Sequence, residues 1–201
     1  MTSPRWTTAD IPALNGQLAL VTGANSGLGY HTALELARKG ACVLFACRSP
    51  ERGQAALQEI HTQVPAASLE LLPLDLADLA SLRAASAELH RRYDRLDILV
   101  NNAGVMGIPR RLTAGGFEMQ LGVNHLGHFA LTGLLLDLLE AAPAGRVVTV
   151  SSLMHQVGRI DFADLMGERA YDPWRAYSQS KLANLLFAYE LQRRLAQRGS
   201  P

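Results

Sequence analysis

Short, almost wholly apolar runs alternate with helical patterns from about residue 17 onward, and this alternation limits the fold more than any other feature. The runs Leu18 to Thr22, Cys42 to Ala46, Leu69 to Leu74, Ile98 to Asn101 and Arg146 to Ser151 read as strands, with helical segments near 28–39, 50–63, 79–93 and 117–140 between them. A strand covered by helices on both faces has no polar face to show, so near-continuous apolar runs separated by helices specify βαβ units around a parallel sheet. The expectation is an α/β protein of three layers with a doubly wound sheet. Ser49 before Pro50 and Asp78 before Leu79 fit helix starts, and Gly40 fits a helix end. At 201 residues and 48% hydrophobic content, the chain suits one domain, 1–201, with a sizeable core. The segment from Leu153 to Asp172 is long for a connection. It reads either as a lid or substrate wall, or as a surface loop with a short helical turn around Phe162 to Met166.

Composition removes several functional classes. The formal net charge is +1, and the arginine pairs are scattered rather than set in a stripe with aromatics, which argues against a nucleic-acid partner. The start, Met1-Thr-Ser-Pro-Arg-Trp6, lacks the pattern of a signal peptide, and no apolar run approaches the roughly 18 residues of a membrane span. A cytoplasmic location is expected. Cys42 and Cys47 sit in or beside one strand with Cα atoms roughly 16 Å apart, too far for a disulfide. Neither they nor the six histidines show metal-ligand spacing, so no metal site is expected; His125 and His128 read as packing or capping residues.

Two local patterns carry chemistry. The first strand runs into Thr22-Gly-Ala-Asn-Ser-Gly-Leu-Gly29 and then a helix. Glycines at 23, 27 and 29 permit a tight turn, close approach of backbone to a pyrophosphate, and close helix packing, while the helix N-terminus favours an anion. The second pattern is Tyr177 and Lys181, four apart in a stretch that reads as helix and therefore on one face. Lysine is used only here and at Lys39, whereas the other 17 of the 19 basic residues are arginine. A compact ammonium near a phenol favours the phenolate and lets it exchange protons near neutral pH, and its three rotatable donors also reach sugar hydroxyls.

Together these residues resemble the short-chain dehydrogenase/reductase family, most closely its retinol dehydrogenase-like branch. Thr22 to Gly29 is similar to the family's cofactor turn, and Asn101-Asn-Ala-Gly104 to its NNAG element. Val123-Asn-His-Leu-Gly-His-Phe129 is similar to the segment with its catalytic asparagine, Val150-Ser-Ser-Leu153 to its serine motif, and Tyr177 to Lys181 to YxxxK. The resemblance implies a Rossmann-type fold, about five of the family's seven strands being present. It implies interconversion of a carbonyl and an alcohol by hydride transfer, with a catalytic set of Asn124, Ser152, Tyr177 and Lys181. Tyr177 would be the acid/base and Ser152 would bind the carbonyl oxygen. Lys181 would lower the tyrosine pKa and hold the ribose, and Asn124 would bend its helix and hold a water linking Lys181 to solvent. Taken alone, Asn124 reads as a helix-interior amide bonded to backbone. The cofactor would lie against Gly23, Asn25, Ser26, Gly27, Leu28, Gly29, Asp75, Leu76, Asn101, Ala103, Gly104 and Ser151, besides Tyr177 and Lys181.

An enzyme selecting NAD places a carboxylate at the end of the second strand, where this chain has Cys47 and then Arg48, so NADP(H) is expected over NAD(H). Otherwise Arg48 is a solvated strand-end residue and Asp75 a turn acid. Family members usually continue past Pro201, which leads to the expectation of a piece that binds cofactor weakly and turns over slowly or not at all, with the last strand an unpaired edge. The resemblance also suggests a lipophilic carbonyl or alcohol substrate. Apolar stripes at Leu131, Leu134, Leu135 and Leu138 and at Leu185, Leu186 and Tyr189 suggest a homo-oligomer, or else burial against the chain's own sheet. A non-catalytic dinucleotide-binding or redox-sensing module is the competing class.

Overall fold

The computed structural model describes residues 6–200; the residues 1–5 read above for targeting, and Pro201, lie outside that range. Five strands form one parallel sheet: β1 (Leu18–Thr22), β2 (Cys42–Cys47), β3 (Ser68–Pro73), β4 (Ile98–Asn101) and β5 (Arg146–Thr149), in the order β3-β2-β1-β4-β5. Between them run α1 (Gly27–Arg38), α2 (Pro50–Gln63), α3 (Leu79–Arg92), and a broken series of α4 (Met119–Leu121), α5 (Gly127–Leu134) and α6 (Leu136–Ala141); α7 (Pro173–Gln197) follows β5.

Strand alternation sorts the core into two layers. Leu18 and Leu20 of β1 join Leu44, Leu72 and Leu99 in a cluster with Leu82 and Leu89 of α3, Leu131 of α5 and Leu138 of α6. Ala19 and Val21 turn the other way, joining Val43, Phe45 and Val100 under Ala33 and Leu34 of α1 and Leu57 and Ile60 of α2. Each such fully buried large side chain contributes about 1.5–3 kcal/mol. Helices therefore cover both faces, as the apolar runs require. The Ser49 side chain accepts from Arg52 N–H (3.3 Å) and that of Asp78 from Ala80 N–H (2.8 Å), and Gly40 ends α1 at φ +89°.

The outer strands are less covered than their sequences suggest. β5 is shorter than the apolar run, and its Val148 is 49% exposed. Edge position, not composition, decides this. The expected helix over 117–140 is also divided: a π-helical turn occupies Gly122–Leu126 and the backbone kinks at Leu135 (φ −111°, ψ 8°). In the long connection the short helical turn forms at Leu153–Val157, capped by Ser152, rather than near Phe162. Both cysteines are free thiols.

Candidate active site

The chain leaves β1, turns back through β2 and β3, then crosses to β4 on the other side of β1, so the sheet's switch point lies between β1 and β4. Ligands of such sheets bind in the crevice beyond the carboxyl ends of these strands. A cleft of about 620 Å³ opens there, walled by Gly23, Asn25, Ser26, Leu28, Arg48, Asp75, Leu76, Ala103 and Gly104. Arg52 and Arg111, which the sequence reading passed over, also line it.

The glycine turn is shaped by contacts as well as dihedrals. Gly23 sits at φ +66°, where a Cβ would lie 3.0 Å from Ala103 Cβ. At Gly29 a Cβ would run into Gly23 O and Asn102 Nδ2, so that position must stay bare for α1 to approach the turn. Gly27, at φ +56°, starts α1 in a left-handed conformation that suits glycine.

Thr22 joins this turn to the loop after β4. Its Oγ1 accepts from Asn102 N–H (2.9 Å) and Ala103 N–H (3.0 Å), while Asn102 Nδ2 donates to Thr22 O (2.8 Å). The Thr22 hydroxyl is also 2.8 Å from His128 Nε2, and His128 Nδ1 lies 3.0 Å from Asn124 O. A carbonyl only accepts, so Nδ1 carries the proton and Nε2 accepts from Thr22. The ring is thereby fixed as neutral, and burial pushes its pKa down to about 4. His128, expected to serve in packing or capping, is a polar link between the glycine turn and the segment bearing Asn124. Nothing in its spacing announces that link, because its partner lies 106 residues away.

Asn124 lies in the π-helical turn, where Gly127 N–H bonds Gly122 O and the extra residue re-aims the side chain. Its Oδ1 accepts from Val105 N–H (2.8 Å), and its Nδ2 donates to Val105 O (2.9 Å) and Ser180 Oγ (2.9 Å). Ser180 in turn donates to Tyr177 O (2.7 Å). The amide thus fastens the loop after Gly104 to α7. The helix is distorted at this residue, as expected, and the backbone bonding of the plain alternative is present as well.

Tyr177 and Lys181 share a face of α7. The ammonium lies 5.7 Å from the phenol's ring centroid and donates to Val150 O (3.1 Å), and a Cβ on Gly104 would be 3.7 Å from it. Both residues are buried, and burial pushes the lysine pKa below its ordinary value. The Tyr177 hydroxyl bonds no other described group. Asn184, one turn on, donates to the same Val150 carbonyl (3.1 Å).

Three expected cofactor or catalytic positions make bonds within the chain. The Asn101 side chain is buried under the sheet and donates to Thr132 Oγ1 (3.0 Å) on α5, so its neighbour Asn102 faces the cleft instead. Alternation along β4 decides which asparagine points inward. The Ser151 hydroxyl donates to Lys181 O (2.8 Å), anchoring α7 rather than lining the cleft. Ser152 Oγ accepts from Met154 N–H (3.2 Å) as cap of the following turn, with no bond to Tyr177. Asp75 lines the cleft, but its Oδ1 also accepts from Ala77 N–H (2.9 Å), so the turn role is present too.

A strand-turn-helix glycine cradle at the switch point, facing a Tyr/Lys pair on a later helix, is the layout of a dinucleotide-dependent dehydrogenase. The chain belongs to the short chain dehydrogenase family, whose model matches residues 17–199. Among curated relatives it is 50% identical to retinol dehydrogenase 13 of Homo sapiens over 181 residues, 90% of this chain and 55% of that protein. It is also 50% identical to polyprenol dehydrogenase of Mus musculus over 195 residues, 95% of this chain and 58% of that one. The chain therefore spans little more than half the length of the curated relatives it matches. A crystal structure from Mycobacterium paratuberculosis shares 51% identity at a TM-score of 0.88, covering 98% of this chain and 69% of that one. A short chain dehydrogenase from Escherichia coli CFT073 complexed with NADPH shares 28% identity at a TM-score of 0.75, covering 92% and 74%.

Proposed function

We propose that this protein is an NADP(H)-dependent oxidoreductase that interconverts a carbonyl and an alcohol, with Tyr177 as acid/base. The observation that carries the reading is the buried Lys181 ammonium, 5.7 Å from the Tyr177 ring centroid and beside Gly104 at the cleft. The bare Gly23 and Gly29 positions, the N-terminus of α1 and the cleft volume fit a dinucleotide, with Gly23, Asn25, Ser26 and Leu28 against its pyrophosphate half. Bound there, the nicotinamide would supply or accept the hydride.

In the reductive direction Tyr177 gives its proton to the carbonyl oxygen as the carbon gains hydride, and the product is the alcohol. Lys181 stabilises the phenoxide left behind, and its two donors not bonded to Val150 O can reach ribose hydroxyls. Ser152 donates to the substrate oxygen after its hydroxyl turns toward it, which its single weak cap bond permits. Asn124 keeps Val105 and α7 in register, so that the loop bearing Gly104 and the helix bearing Tyr177 form one wall.

Arg48 and Arg52 are exposed at the cleft where an NAD enzyme would place a carboxylate, and this supports a 2'-phosphate as the group recognised. Replacing both by glutamine should raise the Kd for NADPH about tenfold and leave NADH unchanged; equal losses for the two would sink this selectivity. The main test is Tyr177→Phe, which should abolish carbonyl-dependent NADPH oxidation while NADPH binding, followed by its fluorescence, persists. Retained turnover in that variant would refute the mechanism.

The Leu131, Leu135 and Leu138 stripe is buried in the chain's own core, which removes it from any oligomer argument. Leu186 and Tyr189 of α7 are exposed, as is Phe129, which packs on Phe187 with centroids 5.5 Å apart, and these uncovered apolar side chains support pairing of two copies. Sedimentation velocity showing only monomer at high concentration would dismiss it.

A further inference from the structure

We infer that Trp174 is the residue that selects the substrate, forming an aromatic wall for a bulky apolar group next to the reacting carbonyl carbon. This rests on the oxidoreductase reading above and gives its site a substrate class. Trp174 stands one turn before Tyr177 on α7, with its ring edge-on to the phenol at a centroid distance of 6.3 Å and an interplanar angle of 88°. It is nevertheless 52% exposed. A large ring left half in water beside a proton donor forgoes burial free energy, unless a ligand completes the contact.

The ring is held although it is exposed. It lies over Gly107, at φ +63°, where a Cβ would come within 3.4 Å of the indole Cζ2, so the bare backbone makes room for it. Gly107 N–H donates to Gln120 Oε1 (2.8 Å), and Gln120 Nε2 donates to Pro173 O (2.8 Å) and to the Tyr171 hydroxyl (2.9 Å). One buried amide therefore ties together the two segments between which the indole lies. The Asp172 side chain caps α7 at Trp174 N–H (3.0 Å), fixing the residue's backbone as well.

The neighbouring positions repeat the pattern. Leu153, directly after Ser152, is 79% exposed, and Met106, two residues beyond Gly104, is 59% exposed. The segments bearing Ser152, Gly104 and Tyr177 thus each present a large apolar side chain to solvent as well. The polar groups proposed for the reaction lie on these same segments, and what surrounds them would welcome hydrocarbon or aryl surface rather than a sugar or a charged acid.

The test uses the 201-residue chain and two ketones, 4-phenyl-2-butanone and acetone, in calorimetric titrations with saturating NADP and in NADPH oxidation. Trp174→Ala should weaken 4-phenyl-2-butanone about tenfold in both Kd and KM, change acetone by about twofold or less, and leave kcat and NADP affinity close to wild type. Trp174→Phe should restore most of the discrimination, whereas Trp174→Gln, similar in length but polar, should not. Equal effects on the two ketones, a parallel loss of NADP binding, or no wild-type preference for the aryl ketone would overturn the assignment. Trp174-dependent binding without NADPH oxidation would sustain the subsite and reject the proposed reaction. Oxidation that is indifferent to residue 174 would do the reverse.

Discussion

Acid should weaken this protein through one buried ring. His128 is neutral by construction: Nδ1–H is committed to Asn124 O, and Nε2 accepts from a Thr22 hydroxyl whose lone pairs already take Asn102 and Ala103 N–H. A second ring proton would meet an oxygen with no free lone pair. The folded-state pKa, pushed down to about 4 by burial, lies below the ordinary value of 6.5. The unfolded chain therefore binds more protons between these values, and the contribution is fully present above pH 6.5 and lost as pH falls toward 4. Linkage with these two values gives a loss of about 2 kcal/mol between pH 7 and pH 5, and about 3 kcal/mol at full protonation. His128→Gln places an amide oxygen where Nε2 stood and has nothing to titrate. Urea unfolding of both proteins at pH 7 and pH 5 should show the wild type losing about 2 kcal/mol more than the variant, since all other groups titrate in both. Parallel losses would refute the neutral-ring reasoning.

Gly29→Ala should cost about 1–3 kcal/mol in urea unfolding and weaken NADPH binding at least about tenfold, because the new methyl group meets Gly23 O and the Asn102 amide; a silent substitution would show that α1 need not approach the turn so closely. Between α3 and α6, the bond to Ser86 O and the Asp137 carboxylate (2.9 Å) raise the His90 pKa. That contribution is present below the ordinary histidine value and lost as pH rises through the raised one; since the pair is exposed it amounts to about 0.5 kcal/mol. Asp137→Asn should flatten this small fall in thermal stability between pH 6 and pH 8, and an unchanged slope would count against the pair.

The sequence determined the layers, the five strands and the two chemical elements, because each has a local cause. Burial on both faces demands continuous apolar runs, glycine is needed where φ is positive or a methyl would collide, and a spacing of four on a helix sets tyrosine and lysine on one side. The same logic placed the caps at Ser49 and Asp78 and the end of α1 at Gly40. What only the tertiary structure decided are relations across long separations. Thr22 meets His128 and Asn102, Asn124 reaches Val105 and Ser180, and Gln120 joins Gly107 to Pro173. Strand alternation sends Asn101 into the core and Asn102 to the cleft, and edge position leaves Val148 exposed in a run as apolar as the buried ones. Hydrogen bonding and burial depend on which distant segments become neighbours, and periodicity within one segment carries no record of that.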